Sequence, residues 1–226
     1  MCIKRLALVF ALYLGCPGMT LAAPKNITEG ELALTPPYCQ DVQGIKWGDQ
    51  YSNTSPRAAH WVALMGKTFW AMHHYCWALI HIQRSSAAGL SPQIREGMIQ
   101  EAIGDYYYVI KNATPNFVLL PEIYLRIGEA QVMAKNPVAA SDAFAKAREL
   151  KADYWPAYAR GAEVFERLGM KTKAKSLLED GLERMPNEPA LQTAFVRLGG
   201  KLSELHPRNA ASAVSEPAES PASAAQ

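Results

Sequence analysis

Between residues 121 and 186 the apolar and small positions recur with a shift of 34 residues. Tyr124 falls on Tyr158, Gly128 on Ala162, Ala140 on Ala174, Phe144 on Leu178 and Ala147 on Gly181, and the polar pairs Arg126/Arg160 and Glu129/Glu163 coincide as well. Within each unit the apolar positions return every three or four residues, the spacing of a helix with one buried face. The pattern predicts helices near 121–134 and 138–150, and again near 155–168 and 171–184. Lys135-Asn136-Pro137 and Gly169 mark the turns. A period of 34 made of two helices is the signature of a helical repeat. A single such unit cannot bury its own apolar faces, so neighbours must stack.

Upstream the pattern changes. Ser55-Pro56 predicts a helix start, with Ser as cap and Pro at the first helical position. A short helix then runs to about Met65 and breaks near Gly66. A longer helix follows from Thr68 to about Arg84, apolar around much of its circumference (Phe69, Trp70, Met72, Tyr75, Cys76, Trp77, Leu79, Ile80) and therefore expected to be buried. Ser91-Pro92 starts another helix, with a stripe through Met98, Ala102, Ile103, Tyr106 and Ile110 that stops before Pro115. These two helices read as a degenerate first repeat. After Pro186 the register continues only in part, and a solitary capping helix is expected there.

The predicted organisation is a signal peptide at 1–23, an irregular arm at 24–54 and N-terminal helices at 55–115. Two repeats at 116–188, a cap at 189–206 and a disordered tail at 207–226 complete it. The arm shows no helical period, but its Leu32, Tyr38, Ile45, Trp47 and Tyr51 suggest packing on the body. The tail is Ala, Ser, Pro and Glu with little that can form a core. At the other end, Lys4-Arg5 and the apolar run 6–14 resemble a secretory signal, with cleavage expected after Ala23. Tyr13-Leu14-Gly15-Cys16 offers a rival reading, lipidation at Cys16. The expected location is periplasmic or secreted, or else lipid-anchored at the envelope.

Loss of Lys4 and Arg5 leaves 21 basic against 21 acidic residues. That balance argues against nucleic acid as a partner, because phosphate binding draws on a basic surplus or stripe. No apolar run after the leader is long enough to span a bilayer. Cys39 and Cys76 remain. In an oxidising compartment the pair is expected to form one disulfide, with two buried thiols as the other reading.

The spaced aromatics, small residues and prolines at 121–186 resemble the tetratricopeptide repeat (TPR) family, more loosely at 68–115 and in part at 189–205. Gln131 and Ala152 depart from its pattern. With its leader, the chain looks like a bacterial envelope TPR protein. The resemblance implies an all-α, TPR-like helical solenoid with a concave groove that holds a protein or peptide partner and carries no catalysis or cofactor. By position, the groove residues it implies are Leu125, Arg126, Glu129, Met133, Arg160, Glu163, Arg167 and Arg197, with Glu122 and Glu166 beside them. Arg126 and Arg160 can present guanidinium groups to a ligand carboxylate. They also lie three residues before Glu129 and Glu163, where the pairs can satisfy each other. The full Lys/Asn clamp of chaperone-binding members is absent, so a C-terminal carboxylate ligand is not expected.

Other chemistry is thinner. Gly66-Lys67-Thr68 resembles the end of a phosphate-binding loop, but Trp61 stands where its first glycine belongs. His73, His74 and Cys76 suggest a metal- or thiol-dependent site; His74 and His81 are seven apart, beyond the i,i+4 spacing that chelates one ion. Four of the five tryptophans lie within 47–77, and Tyr106-Tyr107-Tyr108 adds rings. A glycan-binding surface of an envelope polysaccharide pathway is therefore the alternative to a protein-binding groove, and core packing is the plain reading of the same rings.

Overall fold

The computed structural model describes residues 23–48 and 53–205. The expected leader, the lipidation site at Cys16, Tyr51 and the tail lie outside these residues. Among the described residues there are helices and turns and no strand.

The described residues form nine α-helices in chain order: α1 (Glu29–Ala33), α2 (Ala58–Met65), α3 (Met72–Ser85), α4 (Pro92–Asn112), α5 (Leu120–Met133), α6 (Pro137–Leu150), α7 (Trp155–Arg167), α8 (Lys171–Arg184) and α9 (Pro189–Arg197). Each of α3 to α9 packs mainly on its chain neighbours, and α5 and α9 also touch α7 across the turn between pairs. This is the stacked-pair arrangement of a helical solenoid.

Local signals place the boundaries. Ser91 Oγ accepts from Ile94 N–H ahead of Pro92, and Asn136 Oδ1 accepts from Ala139 N–H ahead of Pro137. Each cap satisfies one of the amides left open at a helix start, next to a proline that has no amide to leave open. The helix expected from Thr68 is shorter than its pattern suggested. Gly66, at φ +62°, turns the chain out of α2, and Gly66–Ala71 winds as a 3-10 helix before α3 begins at Met72. Thr68 is fully buried in this connector and its hydroxyl accepts from Thr114 N–H. Tertiary packing has here outweighed helical periodicity.

The repeat pairs interlock by size. An added Cβ at Gly128 would stand 2.3 Å from a ring carbon of Phe144, so only glycine lets α5 and α6 approach this closely. One repeat later Ala162 and Leu178 occupy the corresponding places in the core under α7–α9. Smaller knob and larger groove residue are exchanged together.

The arm belongs to the body. It holds the five-residue α1, too short to show a period, whose start is a capping box between Thr28 and Glu31. Tyr38, Cys39 and Val42 join the main core with Met72, Tyr75, Tyr106 and Ile123. Cys39 and Cys76 form a disulfide, as expected, linking the arm to the middle of α3. Asp41 is 2% exposed and accepts from Ser55 Oγ, Trp61 Nε1 and Arg57. Ser55 thus serves the arm and the start of the α2 turn together; α2 itself begins at Ala58, later than Ser55-Pro56 suggested.

Candidate functional site

The groove side of the stack is lined by α3, α4, α5, α7 and α9. Two hollows lie there side by side and share Arg126, Glu129, Arg160 and Glu163. The first is a cavity of about 280 Å³ that also takes in Met133 and Arg167. The second reaches Leu125, Tyr154, Trp155 and Arg197. All eight residues that the family resemblance implies for the groove line one or other of these two hollows. Leu125 does so as a nearly buried wall, at 5% exposed.

The charged groups form a ladder up the groove. Arg126 donates to Glu122 at 2.8 Å and to Glu129 at 3.0 Å. Arg160 pairs with the other oxygen of Glu129 at 3.2 Å and donates to Glu163 at 3.1 Å. Glu129 so bridges the two repeats. Glu122 also accepts from the hydroxyls of Tyr75 and Tyr154. Farther along, Arg197 pairs with Glu166. Burial disfavours the Arg126 charge, but Glu122 and Glu129 outweigh it and hold the guanidinium well above its ordinary range. The i,i+3 pairing and the cross-repeat pairing coexist, so the arginines are already satisfied without a ligand. An arginine with two carboxylate partners is a poor clamp for a third.

What remains unfilled is apolar. Leu79, Ile82, Ala130, Val132 and Met133 form the floor of the first cavity, with Tyr106 and Phe144 behind them. Leu79, Ile82 and Tyr106 come from the degenerate first pair, and the repeat register does not reach them. The signal for them is the spacing Tyr75, Leu79, Ile82, one face of α3. The geometry suits a ligand that inserts an apolar side chain and leaves its polar backbone to the ladder.

The histidines lie elsewhere, at the α3–α4 interface near the arm. His74 Nδ1 is 2.5 Å from Asp105 Oδ1, and His81 Nε2 is 3.9 Å from Asp105 Oδ2. Asp105 is fully buried, and burial raises its pKa to about 8. Burial lowers that of His74 to about 4. Both shifts favour the uncharged pair, with the carboxylic acid donating to the imidazole. The metal or thiol reading of His73, His74 and Cys76 fails on this geometry. The Cys76 sulfur is spent in the disulfide, and among the described residues no group of three or more His, Cys, Asp or Glu is placed to hold an ion.

The aromatic cluster divides. Tyr106 and Trp77 are core, at 1% and 4% exposed, while Trp70 and Tyr108 reach the surface. With Gln43, His73 and Asn112 they line a cleft between the arm and α4.

No family model matches the sequence, and no curated protein matches it. Among solved structures, the first TPR domain of Spaghetti (RPAP3), bound to the HSP90 peptide SRMEEVD, is similar at 22% identity. The likeness covers 54% of this chain and 92% of that one, with a TM-score of 0.39. The solenoid assignment stands on the 34-residue period and on the packing of successive helix pairs.

Proposed function

We propose that this chain is a non-enzymatic protein-interaction scaffold of the bacterial cell envelope, holding a segment of a partner protein in its groove during assembly or secretion. The envelope setting rests on the leader-like N-terminus and on the disulfide, a bond that persists in oxidising compartments. The observation that carries the binding reading is the 280 Å³ cavity, apolar at its floor and ringed by a self-neutralised ladder. A cavity of that kind takes an aliphatic or aromatic anchor. The four acids and four arginines around the groove cancel, so partner choice turns on shape and apolar burial more than on net charge.

The test fills the cavity without touching the ladder. Met133→Trp is expected to abolish capture of any partner that wild-type protein retains from envelope extract, with helicity unchanged by circular dichroism. Arg197→Ala, at the far end of the groove, is expected to weaken capture only slightly. If Met133→Trp captures the same partners as wild type, the groove is not the binding site.

A further inference from the structure

A second surface, on the opposite side of α3 from the groove ladder, has a different chemistry. A cleft of about 450 Å³ opens between the arm, the 3-10 connector and the end of α4. That is the scale of a small-molecule site. Its aromatic walls are Trp70, 42% exposed although it lies beside buried Phe69, and Tyr108, 36% exposed. His74 stacks on Tyr108 with ring centroids 3.7 Å apart and covers one face of that ring. The rest of Tyr108 is left to the cleft.

The polar groups are set by their other bonds. The Trp70 carbonyl accepts from Gln43 Nε2 at 3.0 Å and from His73 Nδ1 at 2.9 Å. A carbonyl only accepts, so the His73 proton is on Nδ1 and Nε2 carries a lone pair. His73 is only 4% exposed, yet it lines the cleft, and its Nε2 has no partner among the described residues. Burial and the neighbouring His74 lower its pKa to about 4, so it stays neutral and accepting. Gln43 spends one amide N–H on the Trp70 carbonyl, and Asn112 spends one on the Tyr108 carbonyl at 2.8 Å. Each keeps an uncommitted side-chain oxygen among the described residues. The cleft thus offers three neutral acceptors between two aromatic rings, and no carboxylate lines it.

We propose that this cleft binds a saccharide unit. A sugar ring presents several hydroxyl donors around its edge and an apolar C–H face, and acceptors flanked by aromatic surface match both. A peptide backbone would supply one donor per residue and no such face. Lys67, on the rim, forms no ion pair among the described residues and is available to the carboxylate of an acidic sugar. The site is distinct from the protein-binding groove, and neither requires the other.

The proposal is tested on the intact protein by titration calorimetry and saturation-transfer NMR. The probes are the tetramer of N-acetylglucosamine, which is neutral, and tetragalacturonate, which is acidic. Binding of either is expected, with Trp70→Ala and Asn112→Leu each lowering affinity at least tenfold at unchanged melting temperature. Trp155→Ala, which alters the groove instead, is expected to leave affinity unchanged. Absence of binding by both probes overturns the proposal. So does binding that survives both cleft variants or that is lost in Trp155→Ala.

Discussion

Gly128 and Asp105 show two ways in which one residue decides a local outcome. At Gly128 the constraint is volume. The Phe144 ring is 1% exposed and lies against the glycine, so a methyl group at that position has no free space. Gly128→Ala gains helix propensity of about 1 kcal/mol and meets overpacking of about 1–3 kcal/mol. The clash involves a buried ring, which cannot swing aside, and net destabilisation is expected. Thermal unfolding will show it, and Gly128→Ala combined with Phe144→Leu, which copies the second repeat, is expected to recover part of the loss. At Asp105 the constraint is charge. A carboxyl whose folded pKa is raised from 3.8 to about 8 costs stability as pH rises through that window, and the full cost is present above it. Asp105→Asn cannot ionise and keeps a donor for His74. Its stability is therefore expected to stay level from pH 6.5 to pH 8 while that of the wild type declines. Below pH 6.5 the variant is expected to weaken, because His74 is lowered to about 4 and must take up a proton on unfolding, whereas in the wild type the relief at Asp105 offsets that loss. Urea titrations at three pH values separate the two limbs.

At the scale of elements, the arm is the least periodic part of the chain and one of the most firmly attached. Three devices hold it: the Cys39–Cys76 disulfide, the buried Asp41 cluster, and Arg84. Arg84 pairs with Glu31 through both carboxylate oxygens and also donates to the carbonyls of Lys25 and Asn26. Arg84 holds Glu31 near pKa 2, below its ordinary 4.5, so that pairing contributes above pH 4.5 and is lost as pH falls toward 2. Replacing both cysteines by alanine is expected to cost about 3–4 kcal/mol in unfolding free energy for a loop of this span. At pH 7 the arm of that variant is expected to remain docked and protease-resistant; at pH 3, with the Glu31 pairing weakened, cleavage within 23–57 is expected to accelerate. Helices α5 to α8 were legible because their apolar positions repeat against a known template. The disulfide was legible because only one cysteine pair follows the expected leader. Helix α1 was not legible, since five residues complete little more than one turn. The start of α3 was misjudged because Phe69 and Trp70 continue its pattern while Gly66 and the buried Thr68 hold the backbone in a tighter turn. The apolar floor of the groove was hidden for a related reason: Leu79, Ile82 and Tyr106 sit on helices whose register carries no repeat.

At the scale of the molecule, the stack is unequal along its length. The core under α3–α5 draws buried residues from the arm, the connector, the loop at Phe117 and α6 as well, and the disulfide passes through it. The core under α7–α9 takes its buried residues from those three helices, with Met185, Leu198 and Leu205 packed at its margin, and is closed by the nine-residue α9 with Leu191 and Phe195. In a solenoid each unit is stabilised mainly by its neighbours, so an end unit with a short cap has half the support of an internal one. Local opening should follow that inequality. Amide exchange is expected to be slowest in α3–α5, with protection approaching the global unfolding free energy. In α8 and α9 it is expected to be faster by at least tenfold, as a cooperative block. The ladder joins the two regions through Glu129 and Arg160, both half-exposed or less, and such pairs contribute about 1 kcal/mol or less each. Arg160→Ala is thus expected to raise exchange in α7–α9 modestly and to leave α3–α5 unchanged. Were α3–α5 to lose protection equally, the stack would be opening as one unit, and the ladder would be a structural keystone instead of the rim of a groove.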